Sequence, residues 1–196
     1  DSVMFKKHPY GTQTTIGLGE HLKNPSLIRI HEYFNTYYVP NNIALCMAGD
    51  FDPDTVIRQA DKYFGALEPK DVPEFTFTPE DSITHPTLKD IYGPMADFMI
   101  MGYRFNGAHT GDRLMIGIIE GLLFNGYAGL IDLNLIQKQK ILESWVYTDI
   151  RNDYSSMLIL GRPKGNQTLE EVKDLLLAEI EKLKKGEFDD WLINAV

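Results

Sequence analysis

Residues 24–38 carry Leu27, Ile30, Phe34 and Tyr37 at three- and four-residue spacing, which predicts a helix with one apolar stripe. Asn24 can cap it, Pro25 suits its first position, and Pro40 ends it. Residues 43–48 form a continuous apolar run closed by Gly49 and Asp50, a pattern that predicts a strand buried on both faces. Asp52 and Pro53 repeat the cap-plus-proline start. Val56, Ile57, Ala60, Tyr63 and Phe64 then make the apolar face of a second helix, with Gly65 as its left-handed stop.

Residues 68–86 break the pattern. They hold Pro69, Pro73, Pro79 and Pro86 together with Glu68, Asp71, Glu74, Glu80 and Asp81. Proline removes backbone donors and like charges repel, so this stretch is expected to be an extended surface linker and the domain boundary. Beyond it, residues 88–92 and 98–105 read as strands, the second with Met99, Met101, Tyr103 and Phe105 on one face. Residues 111–124 read as an apolar helix, and residues 130–141 as an amphipathic one with Leu130, Leu133 and Ile136 on one side. Residues 145–150 and 156–160 look like a strand pair turning near Asn152 and Asp153. Residues 168–185 give the clearest helix. It opens on the capping box Thr168-x-x-Glu171 and turns Val172, Leu175, Leu176, Ile180 and Leu183 inward. Lys182, Lys184 and Lys185 sit at its negative end, and Gly186 stops it.

Composition narrows the classes. Of 196 residues, 43% are hydrophobic, enough to exclude a disordered or fibrous chain. No apolar stretch approaches the ~20 residues a membrane span needs. The net charge of -9 disfavours binding to nucleic acid or an anionic membrane. The single cysteine, Cys46, excludes an internal disulfide and a cysteine-based zinc cluster. Lying inside the run 43–48, it is expected to be a buried, inert thiol. The chain starts at Asp1 and ends on an apolar run just after Asp189 and Asp190, which reads as the opening of a helix. It is expected to be a fragment of a longer protein.

The chemistry-bearing residues form no complete constellation. A zinc-binding helix needs two imidazoles one turn apart with a carboxylate beside them. His31-Glu32-Tyr33-Phe34-Asn35 has Asn35 where the second imidazole belongs. Gly17-Leu18-Gly19-Glu20-His21 has Gly17 at the first ligand position of the inverted form. Each offers one imidazole, and chance resemblance is the better reading of motifs this short. The pair Gly17 and Gly19 lacks the rest of a phosphate loop, and no serine sits in a nucleophile elbow. Asn166-Gln167-Thr168 fits a glycosylation sequon, but the capping role explains Thr168 equally well. Met95, Met99 and Met101, and the rings of Tyr33, Phe34, Tyr37 and Tyr38, read as packing residues. Composition and spacing reach a soluble fragment of helices and strands and go no further.

Four blocks in order carry a more specific signal. They are His8-Pro9-Tyr10-Gly11, then Thr15-Ile16-Gly17, then Tyr37-Tyr38-Val39-Pro40-Asn41-Asn42, then Ala48-Gly49-Asp50-Phe51-Asp52. Tyr63-Phe64-Gly65 closes the helix that follows. The series resembles the insulinase/pitrilysin family of zinc peptidases, and residues 87–185 resemble its next domain in element order.

The resemblance implies an α+β fold, a mostly antiparallel sheet with helices packed on one face. It divides the chain into the C-terminal part of a first family domain (residues 1–67), the acidic Pro-rich linker (68–86) and a second, non-zinc domain truncated at its C-terminus (87–196). It implies a clamshell whose two halves enclose peptides or unfolded chains. Zinc in the parent protein is held by residues lying before Asp1, so no catalytic, metal or cofactor residue is expected in this chain. The family also uses an Arg and a Tyr to hold the peptide carbonyl, aligned here with Gln137 and Ser144. Neither is cationic or phenolic, and Tyr147 would replace the phenol only with a three-residue shift. The implied function is the non-catalytic portion of a zinc-dependent metalloendopeptidase. The alternative is a binding or assembly subunit of the same fold. Expected partners are peptide or unfolded polypeptide and the other half of the clamshell, with no nucleic acid and no membrane span. The compartment is left open, with a lean to the bacterial cell envelope.

Overall fold

The computed structural model describes residues 1–196, the side chain of Ala195 excepted. The chain divides into two compact units, Asp1–Pro86 and Thr87–Val196.

The first unit is helical. Short turns α1 (Pro9–Thr12) and α2 (Gly19–Leu22) precede α3 (Leu27–Tyr37) and α4 (Pro53–Phe64). Helix α3 starts two residues later than the proline suggests. Ser26 caps it by accepting the Arg29 N–H, and Pro25 lies outside the helix. Helix α4 begins as its sequence dictates: Asp52 accepts the Thr55 N–H at 2.7 Å and Pro53 takes the first turn. Gly65 ends it in the right-handed region at φ −63°, not the left-handed one, because its N–H still closes onto the Asp61 carbonyl.

The strand expected over residues 43–48 does not form, and Cys46 is exposed. Ile43 has extended dihedrals, but a strand needs a neighbour for its ladder, and no strand is found among the described residues of this unit. Ile43, Leu45 and Met47 are therefore all more than half exposed. What this unit buries is an aromatic cluster. Phe5 and His8 are fully covered, with the Tyr10 and Phe77 rings 4.1 and 4.4 Å from the His8 ring. Residues 68–86 have no regular structure, yet they are held to the unit. Glu80 accepts the N–H groups of Lys7 and His8, Asp81 pairs with Lys7, and the Asn41 amide bonds both backbone groups of Lys70.

The second unit is a three-stranded antiparallel sheet with helices on one face. Strands β1 (Met99–Asn106), β2 (Glu143–Ile150) and β3 (Tyr154–Arg162) run in the order β1-β3-β2. Helices α5 (Asp112–Leu123) and α6 (Leu169–Lys185) pack on the sheet, and α7 (Asp190–Ala195) follows. Residues 88–92 are not a strand: Leu88, Ile91 and Tyr92 stand in solvent with no neighbouring strand to pair with.

Alternation along the strands sorts the two faces. Gly161 faces α6 so closely that a Cβ there would lie 2.6 Å from Val172 and 2.7 Å from Leu176, so glycine is what lets the helix approach. On the same face lie Ile159, Met157 and Val146, which form a core with Ile116, Leu123, Val172 and Leu176. Met99, Met101, Tyr103 and Phe105 of β1 pack against its margin. Helix α6 carries its full capping box, and Gly186 closes it at φ 70°, a conformation that side chains with a Cβ rarely adopt.

The helix expected over residues 130–141 is replaced by a single π-turn, Asp132–Ile136. The cause is Asp132, which is buried and accepts the N–H groups of Asn125, Gly126 and Gly129 at 3.0–3.1 Å. Drawing one carboxylate under three amides fixes the preceding loop. The chain then runs with five-residue closures, Gln137 N–H to Asp132 O and Lys140 N–H to Leu135 O. Gln139 takes a positive φ of 51° where the turn stops.

Candidate functional site

The five imidazoles stay apart. His31 lies on the exposed side of α3 with Asn35 one turn on, and His21 lies on α2. His8 is enclosed by rings, and its Nδ1 accepts the Tyr10 N–H at 3.1 Å. His85 bonds Thr84, and the His109 Nε2 meets the Asn152 side-chain oxygen at 2.8 Å. Among the described residues no group of three or more His, Cys, Asp or Glu side chains is placed to hold a metal ion. The donor set therefore does not fit zinc. A first-row metal needs three or four converging donors, and each near-motif supplies one imidazole.

Gln137 and Ser144, at the positions aligned with a carbonyl-binding pair, are engaged elsewhere. The Gln137 amide donates to the Tyr127 carbonyl at 2.9 Å. Ser144 is buried and donates to the Leu160 carbonyl at 2.6 Å. It pairs with Gly161, so it faces the helices. Tyr147, three residues on, projects from the opposite face and is half exposed.

That opposite face is the candidate site. No helix of the second unit covers it, since α5 and α6 share the other side, yet Leu160 and Ser156 of the central strand are buried, so what this face exposes is its margins, Ile100 and Tyr147. The register gives three rows across β1, β3 and β2. They are Ile100, Leu160 and Trp145; then Gly102, Leu158 and Tyr147; then Arg104, Ser156 and Asp149. The first two rows are apolar and aromatic. The third is charged: Arg104 lies over the Tyr154 ring at 5.6 Å, and Asp149 accepts from the Arg151 guanidinium. Strands with apolar residues on both faces were visible in the sequence of β3, where Leu158 and Leu160 alternate with Met157 and Ile159. The sequence did not say which set the helices would cover.

The phenol of Tyr103 is displaced in its acidity. Burial pushes its hydroxyl up, opposed by the Lys184 ammonium and reinforced by the Glu181 carboxylate, and it faces the helices. A neutral phenol on the covered face takes no part in chemistry on the open one.

Comparison with known proteins gives these features a context. Residues 26–196 match the model of the peptidase M16 inactive domain. The chain is 24% identical over 191 residues to the zinc protease PqqE of Helicobacter pylori, covering 95% of this chain and 43% of that one. Its fold matches the crystal structure of a protease from Helicobacter pylori with a TM-score of 0.71 at 22% identity, covering 98% of this chain and 48% of that one. The periplasmic protease PqqL of Escherichia coli matches with a TM-score of 0.66 at 16% identity over 92% of this chain and 21% of its own. The chain thus spans less than half the length of these relatives. The chain belongs to the peptidase M16 family, within the part described as its inactive domain, and its three-stranded antiparallel sheet with helices on one face accords with the solved structures it matches.

Proposed function

We infer that the chain is the non-catalytic portion of a zinc-dependent metalloendopeptidase that degrades peptides in a closed chamber. In this reading residues 1–67 end one family domain, residues 68–86 link, and residues 87–196 form the non-zinc domain. The open sheet face, with Trp145, Tyr147, Leu158 and Ile100, lines the chamber and contacts extended polypeptide. Zinc and the water it activates belong to polypeptide outside this chain. The observation that carries the reading is the family match over residues 26–196 to the domain described as inactive. The name of the periplasmic relative supports a place in a bacterial cell envelope. No helix among the described residues is long and apolar enough to cross a membrane.

Gln137 and Ser144 fit equally well a second reading, a binding or assembly subunit of the same fold. Ser144 turned into the core cannot hold a substrate carbonyl. One experiment addresses the catalytic claim for this chain. After dialysis against zinc, metal analysis is expected to show no stoichiometric ion, and a quenched-fluorescent unstructured peptide is expected to remain uncut. Stoichiometric zinc together with hydrolysis would overturn the assignment.

A further inference from the structure

We propose that Lys138, Lys140 and Lys164 form a docking patch for an acidic segment of polypeptide. The chain as a whole carries a charge of -9, so a concentration of uncompensated positive charge needs a cause. The fold gathers these three from distant parts of the sequence. The Lys164 ammonium donates to the Gln139 carbonyl at 3.1 Å, which sets it between Lys138 and Lys140 along the turn after the π-helix. The Gln167 amide donates to the Lys140 carbonyl at 3.2 Å and holds the second loop against the first. The Lys138 ammonium meets only the neutral amide oxygen of Asn134, at 3.0 Å.

All three lysines are exposed, and none forms an ion pair among the described residues. The carboxylates of the neighbouring elements have other partners. Glu143 pairs with Arg162, Glu179 pairs with Lys182, and Glu171 belongs to the α6 cap. Elsewhere on this unit Lys173 pairs with Glu170, Lys184 with Glu181 and Lys185 with Glu187, while Lys89 stands exposed without an ion pair among the described residues. What marks the patch is therefore that three unpaired ammonium groups are held on two adjoining loops.

Screening decides which polyanion fits. At 0.1 M salt a charge is felt over about 10 Å, so a short acidic peptide senses the local patch alone. A nucleic acid lies across a much larger surface, and there the excess of carboxylates repels it. The patch does not depend on the peptidase reading, and it survives or fails separately from it.

The test uses the full chain and a fluorescein-labelled hexaglutamate peptide, followed by anisotropy at about 0.1 M salt. Saturable binding is expected. Replacing Lys138, Lys140 and Lys164 together by Gln should weaken it about tenfold or more. Replacing all three by Arg should retain affinity to within about threefold, since the charge stays. Replacing the paired Lys173, Lys184 and Lys185 by Gln changes the net charge equally and should leave binding within about twofold. An unchanged thermal midpoint confirms that each variant is folded. The proposal is overturned by equal losses in both Gln triples, by no saturable binding, or by tighter binding of a DNA duplex.

Discussion

Helix α4 in the first unit and helix α6 in the second are both amphipathic and both capped, yet only one covers its apolar side. Val172 and Leu176 of α6 have no exposed surface, whereas Ile57, Tyr63 and Phe64 of α4 are each more than half exposed. The difference lies in what is available to pack against. Helix α6 lies on a sheet whose Gly161 lets it come close. Helix α4 has no sheet in its own unit. An apolar stripe states that a helix needs a partner; it does not state that the partner lies within reach in the same unit.

The comparison makes its largest prediction in hydrogen exchange. Twelve-residue helices are marginal without tertiary packing. Amides of α4 and of residues 43–48 should exchange on the order of 10³-fold faster than those of β3 and α6. Comparable protection in both units would show that the first has found a cover of its own, and the contrast would fail. The next effect is smaller and local. Leu176→Ala empties a fully buried site and should cost about 2–5 kcal/mol. Ile57→Ala, at a residue 58% exposed, should change stability by less than about 0.5 kcal/mol. Both tryptophans, Trp145 and Trp191, lie in the second unit, so their fluorescence during urea unfolding reports that unit alone.

The same contrast explains what the sequence made legible. Local rules held at several helix ends and strand faces, though not at Pro25 or Gly65. Thr168 and Glu171 close their box, Asp52 and Pro53 start α4, and the alternation of Met99, Met101, Tyr103 and Phe105 chooses the covered face of β1. Residues 43–48 and 88–92 have the right composition for strands, but a strand is a relation between two segments, and neither finds its second segment here. The π-turn was hidden because its cause, Asp132 drawing in three amides, depends on loop geometry and not on periodicity. The open sheet face was half visible. Tyr147 stood out as a phenol near an expected one, but only the register shows that it and Ser144 point to opposite sides.

The smallest effect separates the two caps. In α6, hydrogen bonds from the Thr168 backbone and then its hydroxyl hold the Glu171 carboxyl below its usual range. In α4, the Thr55 hydroxyl and then its backbone N–H do the same for Asp52. A depressed carboxylate contributes stability that is fully present above its ordinary value, 4.5 for Glu171 and 3.8 for Asp52, and that is lost as pH falls through the lower folded value. For α6 the loss is transmitted to the core through Val172, one residue past Glu171 and fully buried. Thr168→Ala should therefore lower the tryptophan-reported stability by about 1 kcal/mol at neutral pH. Glu171→Gln should flatten the decline in that stability below pH 4.5. Asp52→Ala removes the corresponding cap of a helix whose large apolar residues Ile57, Tyr63 and Phe64 stay more than half exposed, so the tryptophan transition should not move. A shift of that transition on Asp52→Ala would mean that α4 shares the cooperative unit of the sheet, and the division between a packed unit and an unpartnered one would no longer hold.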